Sequence, residues 1–249
     1  MSQSFLLRAD HRGHDLMPST GANASYVAGH PDAFIARESS FNFHQYQQGR
    51  EGFGRMLRVF GEEVFTGPGC GYNMHPHHNF IICAIVLQGE LTHVNTAGKV
   101  DVLRDDDYYV FEAGSGGKHA ELNVGDRPTH VIYIWMLPAH LMTQPSYLRR
   151  HYDRVERLNT LTEIIGTAED TVPIRQDARV SRLVTDRAGS FTYRPRSRHH
   201  GVYAFVVEGG AKVDGQQLGR RDSLGVWDSD TVGIETAGTA DLLFVESIL

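Results

Sequence analysis

Short apolar runs of alternating character, most of them closed by glycine, aspartate or proline turns, set the limits on what this chain can fold into. They fall at 56–60, 81–87, 108–111, 131–135, 201–207 and 242–245, and their length and period suit β-strands. Two of them repeat a pattern. Residues 80–90 form an apolar strand closed by Gly89, and 201–210 form another closed by Gly209 and Gly210. Each is followed by a second strand, a glycine turn (Gly98, Gly215) and an approach through aspartate (Asp105 to Asp107, then Asp222). Two similar barrels in tandem account for the echo, and 249 residues are enough for both. The sequence therefore predicts an all-β protein with one barrel in 1–137, a connector over 138–172 and a second barrel in 173–249. Pro138 and Pro145 punctuate the connector, and 152–165 is expected to hold a short helix ending at Gly166, with Pro173 preventing its continuation.

Composition narrows the function. Hydrophobic residues make up 41% of the chain and charged ones 22%, as in ordered soluble proteins. A formal net charge of -6, with three lysines and no polybasic run, argues against nucleic acid as a partner. Arg149, Arg150, His151 and Arg154 read as a solvated face. Two cysteines, Cys70 and Cys83, are too few for a disulfide framework, and Cys83 lies in an apolar run as a buried, inert thiol. No basic leader precedes an apolar run and no apolar stretch approaches membrane-spanning length, so a cytoplasmic protein is expected.

The chemistry lies in the histidines. In an extended segment His75 and His77 point to the same face, and Pro76 between them restricts the backbone. His119 and Glu121 repeat that spacing after the glycine-rich turn 114–117. If the two segments lie side by side, three imidazoles and a carboxylate form an N3O donor set for a divalent transition metal, with positions left open. Spacing alone leaves the alternative that these histidines occupy turns and make local hydrogen bonds. His78 faces away from its neighbours on an extended backbone and reads as a surface or supporting group. Glu90 and His93, after the Gly89 turn, are candidate pocket polar groups.

From Gly69 to Asn123 the chain resembles the cupin pattern, carried here by Gly69, His75, His77, Gly89, Gly116, His119 and Asn123. More closely it resembles the pirin family, whose members are bicupins of two jelly-roll type barrels. The phrases that carry this likeness are Ser40-Phe41-Asn42-Phe43-His44-Gln45-Tyr46, Leu57-Arg58-Val59-Phe60, His75-Pro76-His77 and Gly89-Glu90-Leu91-Thr92-His93. Ile134-Trp135-Met136-Leu137-Pro138 and Pro145-Ser146-Tyr147 add to it. The resemblance implies His75, His77, His119 and Glu121 as ligands of Fe(II), with Glu121 taking over from the usual cupin carboxylate, whose slot is Ile81. Nickel, manganese, copper or zinc would also satisfy such donors. The chain departs from the family in having His78, Asn79, Phe80 and Ile81 where an arginine and, three residues on, a glutamate commonly follow His-Pro-His.

In the second barrel the matching ligand slots fall on Pro195, Ser197 and a position near Ile234, which implies no metal there. His199 and His200 are adjacent, hence on opposite faces of a strand. The family likeness implies a quercetin 2,3-dioxygenase type of enzyme that opens a flavonol with O2 and releases carbon monoxide, with Glu121 as the general base. The opposing expectation is a non-enzymatic, iron-dependent redox sensor that binds a regulatory protein. A sugar isomerase or other small-metabolite cupin would need more charged groups than Lys118, the lysine near these motifs. A monomer is expected, because tandem barrels bury each other's faces.

Overall fold

The computed structural model describes residues 2–43 and 51–249. His44, Gln45 and Tyr46 of the first family phrase lie outside the described residues. Strands dominate, and the chain divides into two compact units. One comprises Gly13–Glu51 and Arg58–His151; the other comprises Met1–Arg12, Gly52–Leu57 and Tyr152–Leu249.

The first unit is built from two sheets. A seven-stranded sheet runs in the order Ser146–His151, Asp107–Glu112, Ile81–Gln88, Thr129–Met136, Leu57–Phe65, Phe34–Asn42, Gly13–Pro18. A five-stranded sheet runs Val27–Ala28, Gly71–His77, Gly117–Asn123, Leu91–Asn95, Val100–Leu103. The strand Ile81–Gln88 is apolar at nearly every position because it is central and both its faces are covered. Its Cys83 is fully buried, and burial pushes the thiol up from its ordinary value. Ile82, Ala84, Val86, Tyr109, Phe111, Val131 and Tyr133 from the larger sheet meet Tyr72, Leu91 and Leu103 from the smaller in one core.

The second unit holds a nine-stranded sheet in which Gln3–Leu7, Ser223–Trp227, His200–Glu208, Val232–Ile248, Arg179–Tyr193, Thr162–Gly166 and Val172–Pro173 follow one another. The hairpin of Ala211–Val213 and Gln216–Leu218 pairs with Val232–Ile248 off this path.

Two expectations about architecture need correction. Among the described residues no unit closes into a jelly-roll barrel: the strands form three open sheets, each ending on edge strands that do not pair with one another. In the first unit two sheets bury their apolar faces against each other, and that burial does not require closure. The helical connector is also absent, and among the described residues there is no α-helix, only the short 3-10 segments Ala9–His11 and Gly21–Asn23. At 153–157 a single helical turn forms, because Asp153 Oδ1 accepts from the Val155 and Glu156 amides and Arg157 N–H donates to the Asp153 carbonyl. Asn159 then adopts a left-handed φ of 57° and donates its amide to the Val184 carbonyl, so the chain leaves into the β-branched strand Thr162–Gly166. No helix among the described residues is long and apolar enough to cross a membrane.

Candidate metal centre

The strands Gly71–His77 and Gly117–Asn123 are antiparallel neighbours with His119 opposite His75 and Gly117 opposite His77. The register then shifts, so Glu121 lies opposite Tyr72, with one extra residue on Gly71–His77. Such a bulge re-aims side chains without ending the pairing. Gly71 makes the shift feasible. A methyl group there would stand 2.8 Å from Leu122 Cα and closer still to the Glu121 carbonyl oxygen, so only glycine admits the two backbones at this distance.

The two strands thus bring His75, His77 and His119 together. Their ring centroids are 4.8 Å (His75–His77), 4.5 Å (His75–His119) and 4.9 Å (His77–His119) apart. One ligand atom from each lies within 4.8 Å of the others. Glu121 Oε2 stands 3.7 Å from His119 Nε2, and both side chains are almost wholly buried. Hydrogen bonding decides which nitrogens face inward. His75 Nδ1 lies 2.7 Å from the Asn73 carbonyl oxygen, which can only accept, so the proton sits on Nδ1 and Nε2 keeps its lone pair. His119 Nδ1 meets His93 Nε2 at 3.2 Å. The Nε2 atoms of His77 and His119 are buried with no hydrogen-bond partner among the described residues.

Burial governs the electrostatics. It lowers the pKa of His75, holds His119 well below its ordinary value and takes His77 down to about 3, with neighbouring histidines adding to the effect at His77 and His119. The three imidazoles are therefore neutral, as metal ligation requires. Burial pushes Glu121 up to about 8, against the opposing effect of the Tyr109 hydroxyl, which donates to Glu121 Oε1. Three inward imidazoles, two orphaned nitrogens and a carboxyl reluctant to ionise without a nearby cation fit a divalent metal ion.

Other residues singled out from sequence are placed differently. His78 is exposed and lines an open surface groove of about 570 Å³ with His77, Ser115 and Lys118. Glu90 is turned toward Arg104, with its Oε1 3.0 Å from Arg104 Nε, outside the histidine cluster. His93 is buried against His119. Sequence reasoning missed Tyr109, whose hydroxyl holds Glu121, and Trp135, whose ring meets His77 edge-on at 4.8 Å. It also missed a cavity of about 50 Å³ bordered by His75, Glu121, Tyr26, Tyr72, Glu63 and Trp135. There Tyr72 donates to Glu63 Oε2 at 2.7 Å, and burial pushes Glu63 up to about 7 against the opposing charge of Arg37.

Comparison with known proteins places the chain in a family. A family profile described as Pirin matches residues 25–136, and a profile for the Quercetinase C-terminal cupin domain matches 166–246. The chain belongs to the pirin family. Among its pirin relatives, a Pirin-like protein of Caulobacter vibrioides is 28% identical over 224 residues, covering 89% of this chain and 96% of that protein. A Quercetin 2,3-dioxygenase of Escherichia coli is 25% identical over 246 residues, 97% of each chain. The crystal structure of the bacterial pirin YhhW from Escherichia coli, in complex with nickel(II), shares the fold with a TM-score of 0.84 at 21% identity, over 99% of each chain.

Proposed function

We propose that this pirin is a metal-dependent oxygenase of the quercetin 2,3-dioxygenase type, holding Fe(II) through His75, His77, His119 and Glu121 and cleaving a flavonol with O2. The observation that carries the reading is the convergence of three neutral imidazoles, two with buried Nε2 atoms that lack partners, beside the buried Glu121. In a nickel-bound relative a divalent metal is present, and several relatives are named as quercetin dioxygenases; both support the assignment. The ion would supply Lewis acidity and a site where an organic oxygen donor and O2 can meet. The metal-binding domain expected over 1–137 would then correspond to the unit of Gly13–Glu51 and Arg58–His151, and the unit that contains Tyr152–Leu249 would be metal-free.

The chain's own groups have separable tasks. The three histidines bind while neutral. Glu121 binds and, in this reading, accepts the substrate hydroxyl proton, its Oε2 standing 3.7 Å from His119 Nε2 at the edge of the histidine cluster. Tyr109 steadies Glu121 by donating to it. Trp135, Phe80 and Phe43 contact one another, with ring centroids 5.6–6.4 Å apart, and Phe43 is exposed. They offer a wall for a planar aromatic substrate.

One observation favours a second reading. The cavity at His75 and Glu121 measures about 50 Å³, far below the roughly 300 Å³ or more typical of pockets for drug-sized ligands. A redox sensor that admits only small molecules to its iron, and meets a regulatory protein at its surface, would need no more space. Anaerobic reconstitution with Fe(II), followed by quercetin turnover with detection of carbon monoxide and the ring-opened product, separates the two. Turnover lost in His75→Ala, His119→Ala and Glu121→Ala supports the oxygenase. Stoichiometric iron without turnover refutes it in favour of sensing, and failure to take up metal refutes both.

A further inference from the structure

His93 lies on Leu91–Asn95, which pairs with Gly117–Asn123 along the edge opposite Gly71–His77, and it stands across from Glu121. It is fully buried, and its Nε2 is 3.2 Å from His119 Nδ1. Its ring lies parallel on Tyr147, with centroids 4.6 Å apart and planes 5° apart, and against Tyr109 at 4.5 Å. These contacts on neighbouring rings fix its orientation.

Between two neutral imidazoles the line joining Nδ1 of one to Nε2 of the other holds a single proton. If it belongs to His119 Nδ1, then His119 Nε2 presents a lone pair toward His75 and His77. If it belongs to His93 Nε2, then His119 must carry its own proton on Nε2, and its capacity as a donor is lost. The Asn73 carbonyl settles the same choice for His75 by accepting from Nδ1. For His119 no carbonyl does this among the described residues, and the group beside its Nδ1 is another imidazole.

We infer that His93 is a positioning residue that accepts the His119 Nδ1–H, fixes His119 as an Nε2 donor and carries its own proton on Nδ1. The inference rests on reading His119 as a metal ligand. It predicts that the atom beside His119 Nδ1 must be an acceptor, whatever else the side chain does. A phenyl ring at position 93 preserves stacking but offers no acceptor. Glutamine can place Oε1 where His93 Nε2 stands.

Zn(II), which is diamagnetic, serves as the probe for the full-length chain. Chelator competition should show zinc affinity about 10–100-fold weaker in His93→Phe, with most of the loss recovered in His93→Gln. Long-range 15N–1H correlation spectra of the zinc-loaded wild type should place protons on Nδ1 of both His119 and His93. A proton on His93 Nε2 in that state would overturn the inference, as would wild-type affinity in His93→Phe. Equal weakening in the Gln and Phe variants would also overturn it, since packing would then be the role. Should His93→Phe fail to fold, the Gln variant and the wild-type spectra still decide. Wild-type protein that binds no zinc, iron or nickel would instead remove the metal reading itself, and this inference with it.

Discussion

Gly71→Ala tests whether the close approach of two backbones builds the metal centre. The added methyl would lie 2.8 Å from Leu122 Cα, with the Glu121 carbonyl oxygen nearer still, whereas real Cβ contacts essentially never fall below 3.0 Å. Neither atom is the end of a flexible side chain, so one strand must move by several tenths of an ångström or more. Overpacking of this kind costs about 1–3 kcal/mol, and the positive φ of 154° adds strain of about 1 kcal/mol or more for a residue with a Cβ. A loss of about 2–4 kcal/mol should lower the melting temperature by roughly 5–15 °C. The effect on metal binding should exceed the effect on stability, because Glu121 moves with its carbonyl and ligand distances tolerate only about 0.2 Å. Thermal unfolding and equilibrium dialysis with Ni(II) measure the two losses. Gly233→Ala, where an added methyl meets nothing within 4 Å, is the control and should change little. Wild-type melting and full metal stoichiometry in Gly71→Ala would refute the view that this contact sets the ligand register.

Tyr109→Phe removes the hydroxyl that favours the ionised form of Glu121, so the carboxyl pKa rises further, metal uptake requires higher pH, and affinity near neutrality should fall by about 10-fold in chelator competition. Metal binding at pH 7 should release roughly one proton, read from the buffer dependence of calorimetric enthalpy: Glu121, at about 8, is largely protonated in the free chain, whereas His77, at about 3, has none to lose. The release should fade as pH rises above 8. Arg182→Ala should cost about 1.5–3 kcal/mol in chemical denaturation, since the buried Asp241 loses the contacts at 2.9 and 2.6 Å and keeps Arg154 at 3.1 Å, while Tyr152 loses the guanidinium 4.8 Å from its ring.

The parts of this site legible in the sequence are those governed by local geometry. Two residues apart on a strand means one face, so His75 with His77, and His119 with Glu121, could be paired before any fold was known. The glycine-closed strands were legible for the same reason. Closure of the sheets was not, because alternation reports which face is buried and carries no information on whether the first and last strands meet. The helix expected in 152–165 was overruled by the Asp153 side chain capturing two amides and by the pairing of Thr162–Gly166 with Arg179–Tyr193. Tyr109 escaped notice because it reaches Glu121 from the other sheet of the first unit, a contact with no fixed spacing in the chain. Glu90 looked equivalent to His93 after the same glycine turn, yet they are three apart and so face opposite ways on an extended backbone: Arg104 takes one, His119 the other.

The inward nitrogens separate a metal centre from a histidine cluster held by hydrogen bonds. A cluster held together by its own hydrogen bonds would use its inward nitrogens on one another, whereas here the Nε2 atoms of His77 and His119 are buried with no protein partner among the described residues. Each such omission costs about 1–3 kcal/mol, and burying Glu121 among uncharged rings adds to that. Protonating the imidazoles would relieve the carboxylate but is opposed by the burial that takes His77 to about 3. Protonating Glu121 would relieve the carboxylate and still leave the nitrogens unsatisfied. A divalent cation answers both costs at once, since it accepts every orphaned lone pair and supplies the charge that lets Glu121 ionise.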